Sequence, residues 1–127
     1  MDPGQLEGPR KGGTGLRRIW NALRNSMDGL AAAFRHEDAF RQESLVAAAF
    51  IPLALLLPVS ATGKALMVAS VLLVLIVELL NSAVEAAVDR ISLERHPLAK
   101  RAKDIGSAAV LLSLVNAAAV WLLVLFG

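Results

Sequence analysis

The sequence predicts an all-α integral membrane protein, in which an N-terminal amphipathic surface helix precedes three transmembrane helices. Two observations carry that reading. Of the 127 residues 56% are hydrophobic and only 19% are charged, a balance more apolar than ordinary soluble domains show. The apolar residues also gather into three long runs, about 39–60, 64–90 and 102–126, preceded by a segment at about 16–35 in which apolar and basic residues alternate. One membrane domain over 16–127, behind a tail of residues 1–15, is the expected organisation.

The tail, Met1 to Gly15, is rich in Gly and Pro with scattered charges, a composition that cannot bury a core and reads as flexible. It has no apolar stretch of the kind a signal peptide requires, so none is expected. Its glycines do not form a phosphate-binding loop, because Thr14 stands where the motif needs Lys. Thr62-Gly63-Lys64 fails too, because Ala65 follows it.

From Leu16 onward, Leu16, Ile19, Trp20, Leu23, Met27, Leu30 and Phe34 recur at three- and four-residue spacing, which makes one apolar stripe on a helix. Arg17, Arg18, Asn21, Arg24, Asn25 and Asp28 take the other side. A basic amphipathic helix ahead of membrane spans is expected to lie in the interface, with its arginines toward anionic headgroups.

The first span has its apolar centre at Leu45 to Val59 and contains Pro52, which a membrane helix tolerates when its neighbours satisfy the freed carbonyl. The second, Ala65 to Val88, would be roughly 36 Å long, enough for a hydrocarbon core of about 30 Å. The third, Ile105 to Phe126, carries no charge after Asp104. Basic residues crowd before the first span and between the second and third (Arg90, Arg95, Lys100, Arg101, Lys103), with only Lys64 in the connection between the first two. The positive-inside rule therefore puts the N-terminus in the cytoplasm and the C-terminus outside.

Several function classes are excluded. The net charge of +2, the absence of Tyr and an aromatic content of 5% argue against a nucleic-acid partner. With no cysteine there is no disulfide, thiolate metal site or cysteine nucleophile. His36-Glu37 is not a zinc-protease motif, because Phe40 takes the place of the second His.

The second span holds residues that an inert helix would not keep. Glu78, Asn81, Glu85 and Asp89 are spaced by three, four and four, which places them within an arc of about 80° on one helix face. Measured back from Asp89, Glu85 lies about 6 Å and Glu78 about 17 Å deeper. A charged residue near the bilayer centre costs about 2.5–3.5 kcal/mol on insertion scales, so function is the default reading. Glu85 and Asp89, near the wet boundary, read as metal-side ligands for Mg²⁺, which takes one or two carboxylates with phosphate oxygens and water. Glu78 reads as a general base, because a carboxylate held away from water is a stronger one. Lys103, Asp104 and Ser107 lie on adjacent turns at the start of the third span, where Lys103 supplies a fixed charge for a transferring phosphoryl group.

Elsewhere the plain readings hold. Glu37 and Arg41 are one turn apart and read as an ion pair beside Glu43. Ser44, Ser70, Ser82, Ser113 and Asn116 read as contacts between helices, and His96, before Pro97, as a solvated loop residue.

Taken together, Glu78-Leu-Leu-Asn81-Ser-Ala-Val-Glu85, Asp89-Arg90, Ala102-Lys103-Asp104-Ile-Gly-Ser107 and Ala39-Phe40-Arg41-Gln42-Glu43 resemble the prokaryotic diacylglycerol kinases, over about Leu16 to Phe126. The resemblance implies a homotrimer in the bacterial inner membrane that converts diacylglycerol and ATP to phosphatidic acid and ADP with Mg²⁺, at sites shared between subunits. It implies Glu78 as proton acceptor with Asn81 beside it, and Glu37 and Glu85 as carboxylates holding metal and nucleotide. Arg18, Glu94, Arg95, His96, Lys103 and Asp104 fall at nucleotide-contacting positions, as does Asn25, where familiar members carry an aromatic residue. Arg41 and Ser107 fall at lipid-site positions.

Two alternatives stay open. An undecaprenol kinase would use the same fold on another membrane alcohol, and a small proton-coupled transporter would also bury carboxylates. A trimer has a warrant of its own, because one subunit's three spans are not expected to enclose Glu78, Asn81 and Glu85 while offering them to two substrates.

Overall fold

The structure, a computed structural model, describes residues 14–91 and 96–127. The expected tail, up to residue 13, and the loop residues Glu94 and Arg95 lie outside them. The described residues form four helices in chain order, α1 (Leu16–His36), α2 (Asp38–Leu56), α3 (Ala61–Ile91) and α4 (Pro97–Phe126). Helices α2, α3 and α4 are each long and apolar enough to cross a membrane. Helix α3 is central and packs against both α2 and α4, while α1 packs on α2.

Local chemistry sets each boundary. Glu37 leaves the helical conformation (φ −115°, ψ 107°) and so separates α1 from α2. The break exposes the last carbonyls of α1, and Arg41 covers them: its Nε donates to Phe34 O and its Nη2 to Arg35 O, each at 3.0 Å. Its Nη1 pairs with Asp38 at 3.0 Å. The expected Glu37–Arg41 pair is thereby corrected, because a guanidinium beside a broken helix end finds free carbonyls and the first-turn acid of α2.

Helix α2 stops at Leu56, short of the expected 60. Leu57 precedes Pro58 and is extended (ψ 149°), as the clash with a following proline ring demands. Ser60 then accepts a hydrogen bond from Gly63 N–H at 3.0 Å, an N-terminal cap for α3. Helix α4 starts at Pro97 rather than near 102. Pro97 sits in the first turn, where its missing N–H costs nothing, and His96 Nδ1 accepts from Leu98 N–H at 3.0 Å. His96 is therefore a helix cap, not a loose loop residue.

Within the membrane zone the contact between helices is made by small residues together with Met67 and Val74. Ala54 on α2 and Met67 on α3 are fully buried, with Ala47 and Val74 nearly so. Trp121 on α4 donates its Nε1–H to Met67 O at 3.3 Å and meets Phe50 of α2 edge-on, with ring centroids 5.2 Å apart. One side chain thus ties all three spans together. Ser70 and Ser113 are buried, but their hydroxyls bond Met67 O and Val110 O, three residues back on their own helices. The expected contacts between helices are therefore made by the bulk of these serines and not by their hydrogen bonds.

Lipid and a helix face are equally apolar, so packing and not the hydrophobic effect holds these helices together. Ala54→Leu forces extra methylenes into a filled contact and is expected to cost about 1–3 kcal/mol. It should lower the midpoint of thermal inactivation in detergent, whereas Leu56→Ala, at a residue 83% exposed, should not.

Candidate active site

The site is built around the deepest acid of α3. Glu78 is only 5% exposed, and its carboxyl is hydrogen-bonded to that of Glu43 on α2. Two carboxyl groups can bond only if one of them carries a proton. Glu43 Oε2 is buried without a hydrogen-bond partner among the described residues. From the sequence, Glu43 reads only as a neighbour of an ion pair. The depth argument applied to Glu78 extends to it, because it sits two residues before the apolar centre of α2.

Around this pair lie the remaining charges. Glu37, at the α1–α2 corner, and Glu85, two turns along α3, both act electrostatically on Glu78. Glu85 faces Asn81, whose Nδ2 is 3.5 Å from Glu85 Oε1. Lys103 on α4 pairs with Asp89 at 2.5 Å and lies within electrostatic reach of Glu85. Only the α3–α4 packing brings this lysine to Asp89, which the sequence reads as a metal-side ligand. Asp104 is likewise engaged, by Lys100 at 2.6 Å.

The packing therefore joins Glu78, Glu37, Glu85, Asn81 and Lys103 in one neighbourhood, although they come from two helices and a corner. Arg18 on α1 and Ser107 on α4 are exposed, Asn25 is half-buried on α1 and Arg41 braces the corner. A cleft of about 580 Å³ runs between α1 and α3, lined by Ser26, Gly29, His36, Glu37 and Ser82 among others. Glu37 thus faces open space on one side and the acid cluster on the other. Of Glu78, Asn81 and Glu85, which a single chain is not expected to enclose together, α2 buries Glu78 within one chain. Asn81 and Glu85 remain partly exposed.

The donor set suits a hard cation shared with phosphates. Mg²⁺ usually takes one or two protein carboxylates and completes its shell with phosphate oxygens and water. Among the described residues there is no group of three or more His, Cys, Asp or Glu that could cage an ion, and Glu37 and Glu85 supply two carboxylates.

Comparison with known proteins follows the same residues. The family described as prokaryotic diacylglycerol kinase matches residues 24–125. A diacylglycerol kinase of Pseudomonas aeruginosa is 57% identical over 119 residues, covering 94% of this chain and 97% of that protein. Its counterpart in Escherichia coli K12 is 48% identical over 90% of this chain and 93% of its own, and that of Haemophilus influenzae 49% over 89% and 96%.

Proposed function

Because the chain belongs to the prokaryotic diacylglycerol kinase family, we propose that it transfers the γ-phosphoryl group of ATP to the free hydroxyl of diacylglycerol, giving phosphatidic acid and ADP. The observation that carries this reading is the Glu78–Glu43 pair, a buried carboxyl on α3 facing a second carboxyl on α2, beside a cationic and acidic cluster suited to a nucleotide. In the transfer, Glu43 holds the proton of the pair and Glu78 is ionised. Glu78 takes the hydroxyl proton while the alcohol oxygen bonds to the γ-phosphorus and the bond to the β–γ bridging oxygen breaks, leaving ADP.

Lys103 stands near Glu85 as the fixed positive charge for the transferring group, and Asp89 holds its ammonium in place. Glu37 and Glu85 would hold Mg²⁺, which neutralises charge on the β- and γ-phosphate oxygens when bound with ATP. Arg18, Asn25, Glu94, Arg95, His96 and Asp104 contact the nucleotide in this reading, and Arg41 and Ser107 the lipid.

The proposal includes the bacterial plasma membrane as location, with the N-terminus cytoplasmic and α1 lying at the lipid surface. The apolar stripe of α1, from Leu16 through Trp20 to Phe34, is exposed, which supports that placement. It also includes a homotrimer with shared sites. Asn81 and Glu85 are partly exposed at a depth where lipid would otherwise meet them, and a neighbouring subunit would cover them.

Purified protein given labelled ATP and matched amounts of diacylglycerol and undecaprenol is expected to label diacylglycerol at least about tenfold faster, a difference of roughly 1.4 kcal/mol in barrier. Chelation with EDTA should stop the transfer and added Mg²⁺ restore it. Faster labelling of undecaprenol would move the chain to that substrate on the same chemistry. Absence of transfer to either lipid, with proton flux through reconstituted protein, would replace the kinase reading by the transporter.

A further inference from the structure

Helices α3 and α4 meet closely at Gly106. Asn81 Oδ1 occupies the space that a Cβ at position 106 would need, nearer than real Cβ contacts come. That oxygen is buried and has no hydrogen-bond partner among the described residues. A buried amide oxygen without a donor is costly, yet the other end of the same amide lies 3.5 Å from Glu85 Oε1. The amide is thus clamped between the bare backbone of α4 and the carboxylate one turn along α3.

We infer that Gly106 is a positioning residue for the cation site: its missing side chain lets the Asn81 amide lie flat on α4, and this aims Asn81 Nδ2 at Glu85. The inference rests on the reading of Glu85 as a cation ligand and extends it by one layer. Groups that hold a metal-binding side chain in place typically change metal affinity 10- to 100-fold when altered. The physical case is specific to position 106. The atom in the way is the tip of a short side chain, so a methyl group there moves the Asn81 amide before it moves a helix. At Gly63 an added Cβ would instead meet Val124 Cγ1 at 3.0 Å, a plain packing contact that serves as a control.

The test measures binding of Mn²⁺ by electron paramagnetic resonance, with a non-hydrolysable ATP analogue and the full chain in detergent, alongside the Mg²⁺ concentration that half-activates transfer. Gly106→Ala is expected to weaken Mn²⁺ binding about 10-fold and to raise the half-activating Mg²⁺ concentration by the same factor. Asn81→Ala should do likewise, and adding Gly106→Ala to it should cause no further loss, because the obstructing atom is gone. Gly63→Ala should change thermal stability only. Parent-like Mn²⁺ affinity in Gly106→Ala overturns the inference, as does a full additional loss in the double variant. Should Gly106→Ala fail to fold, parent-like Mn²⁺ affinity in Asn81→Ala overturns it equally. Glu85→Gln separates the two layers. Unchanged affinity there overturns the cation-ligand reading and the inference with it, whereas loss in Glu85→Gln beside normal affinity in Gly106→Ala overturns the inference alone.

Discussion

Glu78→Gln is expected to lower phosphoryl transfer to diacylglycerol by about 10²- to 10⁴-fold, the usual contribution of a positioned general base, while leaving the fold intact. The amide is nearly the same size as the carboxyl and can still hydrogen-bond Glu43, so the contact between α2 and α3 survives. What it lacks is an oxygen able to take the hydroxyl proton. Labelled-phosphate transfer measures the loss, and circular dichroism with thermal inactivation in detergent checks the fold. Activity within a few-fold of the parent would remove Glu78 as the base. Glu43→Gln makes the companion measurement, because the pair can then be bridged by an amide N–H in place of a shared proton. A smaller loss than in Glu78→Gln is expected.

Lys103→Met should lower turnover by about 10²- to 10³-fold, the loss found when one preorganised donor to a charged transition state is removed. Its structure-based signature is a graded series. Asp89→Asn keeps the ammonium and removes only its 2.5 Å partner, so it should cost less than Lys103→Met and should raise KM for ATP more than it lowers kcat. Equal losses in the two variants would mean that the ion pair serves the packing of α3 on α4 and not the nucleotide. Mixing inactive Glu78→Gln chains with inactive Lys103→Met chains examines the shared-site reading. Recovered activity requires complementary halves from different subunits, and a mixture as inactive as its parts would confine each site to one chain.

The membrane class and three spans were legible because they depend on composition and on runs of apolar residues, which no tertiary contact can alter. Helix ends were less legible. The third span was expected near 102 because charges from Arg95 to Lys103 hid the cap at His96 and the Pro97 start, whose signal is a single residue pair. The first span was expected to reach 60, although Pro58 already limited it to residues before Leu57. Of the site, Glu78, Asn81 and Glu85 could be found from spacing on one helix, because helical geometry alone brings i, i+3 and i+7 to one face.

By itself the sequence determined that costly carboxylates stand on one face of an apolar helix, and that their depths differ. Only the tertiary structure decided what each of them meets. Glu43 reaches Glu78 because α2 crosses α3 at that depth, Asp89 is taken by Lys103 because α4 returns beside α3, and Arg41 turns from Glu37 to the open end of α1. The physical reason is the range of the interactions. Helix periodicity and transfer energy act within one segment and can be read along the chain, whereas ion pairs and hydrogen bonds between segments depend on crossing points set by small residues such as Ala54 and Gly106.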